Sequence, residues 1–357
     1  MASPGPRLMT EPRIGFCRLA DGCQVAYATA GEGPPLVLVP GWLSHVERLW
    51  SHPSSASALG RLVERHQFIW YDRVGGGLSD RSRSTATMDD DLAQLEAVLE
   101  ATGAERGSLI GYSAGGPVSA VFAAAQPERV DHLVLCSTYA RGSEMSSQEA
   151  HDSLAGLIAT NWKLATLAMS SIFLPNGSAD DLSWFSRFQR DAADPAMAAA
   201  FIEYIRTHDV RDVLSRVRVP TTVLTNRHDP AVRPELSTEV ARLVPGARLQ
   251  VLEGSEHDPF IRDSGDLVDA ILAAVEGRPF TPTAVPTTSP AELSPRETEV
   301  LTLLGRGATN KEIARELRVQ PSTVERHVTN LYRKLGAKGR ADAAVHAVAR
   351  GLVTPPR

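Results

Sequence analysis

Short apolar runs alternate with amphipathic stretches through the first 277 residues of the chain. The apolar runs lie at residues 36–39, 67–71, 108–112, 133–136, 222–225 and 249–252. Helical patterns at residues 88–102, 115–126 and 267–275 lie between or after them. Asp21-Gly22, between two further strand-like runs, predicts a hairpin turn. The alternation predicts an α/β fold with a doubly wound, mostly parallel sheet.

The alternation stops between Tyr139 and Val217, where the pattern predicts several helices. Eight of the chain's 20 Phe, Trp and Tyr residues fall in this stretch. We expect a helical lid, at about residues 139–217, over the carboxyl edge of the sheet. The lid aromatics either form plain core or line a ligand pocket. The candidates for pocket lining are Trp162, Phe173, Trp184, Phe185 and Phe188.

Four prolines among Thr and Ala mark residues 278–292 as an extended linker. The sequence therefore predicts a first domain at residues 14–277 and a small helical domain at residues 293–353. Charge is divided in the same way. Residues 291–357 carry 12 Lys and Arg against 7 Asp and Glu, whereas the whole chain has a net charge of −5. A basic tail on an acidic body suits a tail that meets phosphates.

Several classes of protein are disfavoured by the composition. The sequence contains no run of eighteen apolar residues, so no membrane span is expected. Met1 to Arg13 lacks the apolar stretch of a secretory signal. Cys17, Cys23 and Cys136 lack metal-binding spacing, and no P-loop is present. We expect a cytoplasmic protein with reduced cysteines and without a metal, cofactor or membrane contact.

A nucleophile motif lies where the third of these strands meets a helix. Gly111-Tyr112-Ser113-Ala114-Gly115 matches G-x-S-x-G, the turn that lifts a serine hydroxyl clear of a sheet. Asp229 and His257 each follow a later strand, in the order acid then base. The alternatives are a turn serine at Ser113, a turn cap at Asp229, a surface loop histidine at His257, and His228 as a competing base. The backbone N–H groups of Trp42 and Ala114 are the predicted oxyanion hole.

Residues 16–277 resemble an α/β-hydrolase. The resemblance is carried by the G-x-S-x-G turn at residues 111–115, called the elbow below. It is also carried by Pro40-Gly41-Trp42, by Tyr71-Asp72-Arg73 with the glycine-rich stretch 75–80, and by Gly116-Pro117. It implies catalysis by Ser113, Asp229 and His257 on an ester bond, or a receptor that uses the same pocket with slow or absent hydrolysis. Many relatives have His-Gly where this chain has Pro40-Gly41.

The last sixty residues contain a second set of motifs. Ser294-Pro295-Arg296-Glu297 and Thr309-Asn310-Lys311-Glu312 are capping boxes that begin two helices. A third helix is predicted from Pro321, with Val324, Val328, Leu331 and Leu335 facing inward. Residues 293–352 resemble the DNA-binding domain of LuxR-type transcriptional regulators.

This resemblance implies binding of double-stranded DNA, with the third helix in the major groove. The residues expected to contact DNA are Asn310, Lys311, Ser322, Thr323, Glu325, Arg326, Thr329, Asn330, Arg333 and Lys334. Relatives often have a lysine where this chain has Glu325. A carboxylate at this position either accepts a hydrogen bond from a cytosine amine or weakens the affinity for DNA. A fourth helix at residues 340–350 implies pairing into a homodimer.

Together the two resemblances predict a one-component regulator whose hydrolase domain senses, and can hydrolyse, a small acyl or ester ligand. The alternative is a serine hydrolase whose main role is turnover, with the DNA-binding module secondary.

Overall fold

The computed structural model describes most of the chain, which divides into two compact units at residues 1–282 and 283–357. The described residues are 11–82, 87–258, 260–261, 265–280 and 293–320, together with 323, 324, 327, 328, 331, 332, 340, 343, 347 and 352. Most of the linker predicted at residues 278–292 lies outside them.

The described part of the first unit forms one eight-stranded sheet in the order β1-β2-β4-β3-β5-β6-β7-β8. The strands are β1 (Arg13–Arg18), β2 (Gln24–Ala30), β3 (Pro35–Val39), β4 (Gln67–Tyr71), β5 (Gly107–Tyr112), β6 (Val130–Cys136), β7 (Thr221–Asn226) and β8 (Arg248–Leu252). β2 pairs antiparallel with β1 and β4, and the other pairs are parallel. The predicted α/β class and mostly parallel sheet are confirmed.

Both faces of the sheet are covered by helices, which explains the uninterrupted apolar runs. Because side chains alternate along a strand, β3 sends Leu36 and Leu38 to one core and Val37 and Val39 to the other. The helices of this unit's described residues are α1 (Val46–Ser51), α2 (Pro53–Val63), α3 (Met88–Ala101), α4 (Gly115–Ala125), α5 (Gln148–Thr160), α6 (Trp162–Phe173), α7 (Ala179–Ala192), α8 (Pro195–Thr207), α9 (Arg211–Leu214), α10 (Pro234–Leu243) and α11 (Gly265–Val275). Among these, none is long and apolar enough to cross a bilayer.

Helices α5 to α9 form the expected insertion between β6 and β7. Apolar residues of α5, α6 and α8 pack with Trp42 and Ala114, which lie in the turns after β3 and β5. Those turns are at the carboxyl ends of parallel strands, so the insertion covers that edge of the sheet. We call α5 to α8 the lid.

The second unit begins with α12 (Pro295–Gly305) and α13 (Asn310–Glu316). Residues 323, 324, 327, 328, 331, 332, 340, 343 and 347 are also helical. Both predicted capping boxes are present, at Ser294 with Glu297 and at Thr309 with Glu312. Val324, Val328 and Leu331 are buried with Ala343 and Ala347 in one small core. Leu335 lies outside the described residues.

Candidate active site and DNA-binding unit

Ser113 occupies a strained turn between β5 and α4. Its φ of +49° is in the left-handed region, which costs a non-glycine residue about 1–2 kcal/mol. Three hydrogen bonds hold the turn. The Ser113 N–H donates to the Cys136 carbonyl at 2.9 Å, and the Ser113 carbonyl accepts from the Gly116 N–H at 3.0 Å and the Thr138 hydroxyl at 2.7 Å. The surrounding fold therefore imposes the conformation that presents the serine side chain.

The flanking glycines are required by close approach. A Cβ on Gly111 would lie 2.7 Å from the Ser119 hydroxyl oxygen, and one on Gly115 would lie 2.2 Å from the Val39 carbonyl oxygen. Both distances are too short for any side chain. The elbow is thus packed directly against the end of β3.

Ser113, His257 and Asp229 form one chain of hydrogen bonds. Ser113 Oγ lies 3.0 Å from His257 Nε2, and His257 Nδ1 lies 2.8 Å from Asp229 Oδ2. The three residues are 5%, 1% and 3% exposed, respectively. A serine, an imidazole and a carboxylate in this order can remove the serine proton and stabilise the imidazolium that results.

Asp229 combines two interpretations that the sequence left as alternatives. Its Oδ1 accepts the N–H groups of Ala231 at 2.9 Å and Val232 at 3.0 Å, as a turn cap does. Its Oδ2 bonds His257. The neighbouring His228 is exposed, and the histidine that bonds both Ser113 and Asp229 is His257. The cap therefore fixes the carboxylate that orients the histidine.

The loop that carries His257 is stabilised by contacts with Phe173 of the lid and by hydrogen bonds to the side chain of Asp258. The His257 N–H donates to the Phe173 carbonyl at 2.9 Å, and the two rings meet edge-on with centroids 4.9 Å apart. On the other side the Tyr112 ring lies 5.1 Å from the imidazole. Burial raises the pKa of Asp258, whose Oδ1 accepts the N–H groups of Phe260 and Ile261. The His257 imidazole therefore contacts two aromatic rings, those of Phe173 and Tyr112.

The two predicted oxyanion donors follow the ends of the neighbouring strands β3 and β5. Trp42 and Ala114 are buried in the same apolar cluster. Within the described part of the chain, neither backbone N–H donates to another group. The assignment of both N–H groups to an oxyanion hole, which would stabilise the negative oxygen of a tetrahedral intermediate, stays a prediction.

The five candidate pocket aromatics separate into different environments. Phe173 contacts His257, and Trp162 packs in the cluster of Trp42 while its indole N–H donates to the Ala193 carbonyl at 3.2 Å. Trp184 and Phe185 each stack on Phe188, with ring centroids 5.3 and 5.8 Å away. These three rings form a core-like cluster, and Trp184 and Phe188 also line a surface cavity of about 410 Å³.

Four polar residues near the site were not among the sequence candidates. Arg73 and Asp91 form a buried ion pair, with Nε and Oδ1 3.0 Å apart, and the Tyr204 hydroxyl donates to Asp91 Oδ2 at 3.0 Å. Gln189 Oε1 accepts from the Trp42 indole N–H at 3.1 Å. The available signal was Arg73 itself, a charged residue two positions after a strand whose last four residues are buried. Among the residues that the structure describes, no group of three or more His, Cys, Asp or Glu side chains could hold a metal ion.

Comparison with known proteins agrees with this geometry. The family described as alpha/beta hydrolase fold matches residues 34–264. The chain belongs to the α/β-hydrolase fold family. The family of bacterial regulatory proteins described as the luxR family matches residues 291–347, so this α/β-hydrolase also carries a LuxR-type DNA-binding domain. A hydrolase domain joined to such a domain suggests a regulator.

Individual relatives differ in what they share with the chain. A pimeloyl-(acyl-carrier protein) methyl ester esterase of Nitrosomonas europaea is 28% identical over 244 residues, which cover 65% of this chain and 92% of the esterase. The uncharacterized protein Rv2715 of Mycobacterium tuberculosis is 26% identical over 329 residues, covering 84% of this chain and 89% of its own. The structure of a bromoperoxidase from Bacillus anthracis shares the fold, with a TM-score of 0.67, 19% identity, and coverage of 74% of this chain and all of its own.

The candidate DNA-contacting residues fall only partly within the described structure. Asn310 and Lys311 lie in the first turn of α13, where Lys311 is exposed and Asn310 Oδ1 accepts from Arg340 at 3.4 Å. Thr323 lies in the third helix, and its N–H donates to the Gln320 carbonyl at 2.9 Å. The remaining candidates, Ser322, Glu325, Arg326, Thr329, Asn330, Arg333 and Lys334, lie outside the described residues.

Proposed function

We propose that the chain is a one-component transcriptional regulator. Its LuxR-type domain binds an operator in double-stranded DNA as a homodimer, in the cytoplasm. Its hydrolase domain binds a small acyl ester or lactone under the lid and hydrolyses it, with Ser113 as the nucleophile. One observation supports this most strongly. A complete Ser113–His257–Asp229 hydrogen-bond chain lies beneath a lid in the same chain as a DNA-binding domain.

The expected chemistry is acyl transfer in two steps. His257 takes the Ser113 proton as the hydroxyl attacks the ester carbonyl, and the N–H groups of Trp42 and Ala114 stabilise the oxyanion. His257 then protonates the leaving alcohol, and water releases the acid from the acyl-enzyme by the same route. An ester is the favoured substrate class because a relative with 28% identity is a methyl ester esterase.

Regulation requires that the ligand or acyl group favour one DNA-binding state over another. The lid is suited to this because it both covers Ser113 and contacts His257 through Phe173. An acyl group on Ser113 would have to displace lid side chains, since Ser113 is only 5% exposed. A change in lid packing is thus the proposed input signal.

The test uses the full-length protein and an alkyl fluorophosphonate, which reacts covalently with activated serine nucleophiles. An operator is first selected from random duplex DNA, and its affinity is then measured with and without the label. We expect labelling of the wild type to shift operator affinity at least several-fold, and the same reagent to leave Ser113→Ala unchanged. An unlabelled wild type would contradict the nucleophile, and a labelled protein with unaltered operator affinity and oligomeric state would contradict the sensor.

A second candidate function is a serine hydrolase whose main role is turnover. The fully formed triad favours it, because a pure receptor has no need for an aligned general base. Hydrolysis of p-nitrophenyl esters from acetate to octanoate separates the two. Rapid turnover that is abolished by Ser113→Ala, together with operator affinity that no ester changes, would favour the enzyme.

A further inference from the structure

A buried arginine, Arg73, donates hydrogen bonds to the loop that contains the predicted oxyanion donor Trp42. Arg73 Nη1 donates to the Gly41 carbonyl at 2.8 Å, and Nη2 donates to the Pro40 carbonyl at 2.6 Å. The third donor of the guanidinium, Nε, bonds Asp91 Oδ1 at 3.0 Å. A guanidinium offers such donors in a rigid plane, so it fixes the orientation of both carbonyls.

The orientation of the Gly41 carbonyl also sets that of the Trp42 N–H. Both groups belong to one planar trans peptide unit, in which C=O and N–H point in opposite directions. Because the carbonyl points at Arg73, the Trp42 N–H points away from it. The same segment lies against the elbow, since a Cβ on Gly115 would be 2.8 Å from the Pro40 carbonyl oxygen.

Lid helix α8 contributes to the same arrangement in two ways. The Tyr204 hydroxyl donates to Asp91 Oδ2 at 3.0 Å, which satisfies the carboxylate oxygen that Arg73 does not use. The Phe201 ring lies 4.8 Å from the Arg73 guanidinium carbon and 5.7 Å from the Trp42 ring. Arg73 and Asp91 are 6% and 0% exposed. In this low-dielectric setting, loss of any one partner disturbs the others.

We propose that Arg73, Asp91 and Tyr204 are positioning residues for the oxyanion hole, and that α8 sets the direction of the Trp42 N–H through them. The proposal rests on the hydrolytic function proposed above. It gives the lid a defined role in the reaction. When α8 is seated, Tyr204 completes the chain to Arg73 and the hole is formed. When α8 moves away from Asp91, the Gly41–Trp42 peptide loses its support.

The principal test is Tyr204→Phe, with Tyr139→Phe as the matched control. Tyr139 is also buried, but its hydroxyl bonds His208 Nδ1 at 3.2 Å rather than Asp91. For p-nitrophenyl butyrate we expect Tyr204→Phe to lower kcat about 10-fold with little change in KM, since small misplacement of a catalytic group is costly. We expect Tyr139→Phe to retain wild-type kcat. The melting temperature of each variant shows whether it is folded.

Arg73→Lys is the second variant, because it keeps a positive charge beside Asp91 but replaces three donor nitrogens in a rigid plane with a single ammonium, which does not fix the orientation of both carbonyls. We expect it to lower kcat about 100-fold, as removal of one oxyanion donor does. Affinity for butylboronic acid, which forms a tetrahedral adduct on serine, should fall in parallel in both variants. A purely structural role would lower the melting temperature without this parallel fall.

The outcomes separate the two proposals. If folded Tyr204→Phe and Arg73→Lys match the Tyr139→Phe control in kcat and boronate affinity, the positioning role is wrong while the hydrolytic function stands. If the wild type itself neither hydrolyses the ester nor binds the boronate, the hydrolytic function is wrong, and the positioning role falls with it.

Discussion

Asp229 bonds His257 with one carboxylate oxygen while its other oxygen accepts two backbone N–H groups of the turn that follows. The His257 bond is 2.8 Å long, and the turn bonds from Ala231 and Val232 are 2.9 and 3.0 Å. A single side chain therefore orients the base and shapes the loop that carries it. Substitutions that retain one oxygen and not the other separate these roles.

We predict that Asp229→Asn loses activity while keeping most of the stability. The amide oxygen can still accept from Ala231 and Val232, but the amide nitrogen donates toward His257 and imposes the wrong tautomer. The rate of ester hydrolysis should fall by about 10,000-fold, as for the corresponding change in a serine protease. Asp229→Ala should be as inactive and also less stable by about 1–2 kcal/mol, because the turn N–H groups lose their acceptor. Equal unfolding free energies for the two variants would contradict the cap.

The strained conformation of Ser113 leads to a prediction about stability. Glycine adopts a φ of +49° without the steric cost that alanine incurs. Ser113→Gly should therefore be more stable than Ser113→Ala by about 1 kcal/mol in urea unfolding. Ala123→Gly within α4 is the control, and it should be destabilising because glycine weakens a helix. If Ser113→Gly were the less stable of the pair, the turn would not be strained in solution.

How far the sequence predicts the fold depends on how local the signal is. The inner strands were predictable because they are buried on both faces and leave apolar runs, such as residues 67–71, whereas the edge strands β1 and β8 are partly exposed. The relation of Ser113, Asp229 and His257 was predictable because each lies in the turn or loop that follows a strand. Parallel strands bring those positions to one edge of the sheet.

The network of Arg73, Asp91 and Tyr204 was not predictable in this way. Asp91 is 18 residues from Arg73 and 113 residues from Tyr204, and no periodic pattern links them. Asp91 lies in the acidic first turn of α3, where an aspartate is ordinarily a helix-terminal charge in water. Only the packing of α3 against the sheet shows that Asp91 is buried. The same limit applies to the lid aromatics, whose partners depend on how the helices pack.

His208 makes the stability of the first unit depend on pH. Burial, and then the positive charge of Arg73, lower its pKa from 6.5 to about 4. The unfolded chain therefore binds a proton first as pH falls, so stability is lost between pH 6.5 and 4. One such group contributes about 3 kcal/mol over this range.

His208→Asn should reduce this loss, because its side chain does not titrate and its amide oxygen can accept the Tyr139 hydroxyl. The measurement is the unfolding free energy of both proteins at pH 7 and pH 4.5. His228→Asn, at an exposed position, controls for the loss of an imidazole. The prediction would be wrong if wild type and His208→Asn lost stability equally over this interval.

Lys311 provides a test of the DNA-binding unit that does not depend on the operator sequence. It is exposed in the first turn of α13, and a lysine that neutralises one phosphate contributes to affinity for any duplex. Lys311→Gln should weaken specific and non-specific binding by a similar factor and reduce the slope of log affinity against log salt by about 0.9. Lys163→Gln is the matched control, since Lys163 is an exposed lysine of lid helix α6. Fluorescence anisotropy at salt concentrations from about 50 to about 200 mM, over which phosphate contacts change affinity strongly, measures both slopes. A slope that Lys311→Gln leaves at the control value would place Lys311 away from the phosphates.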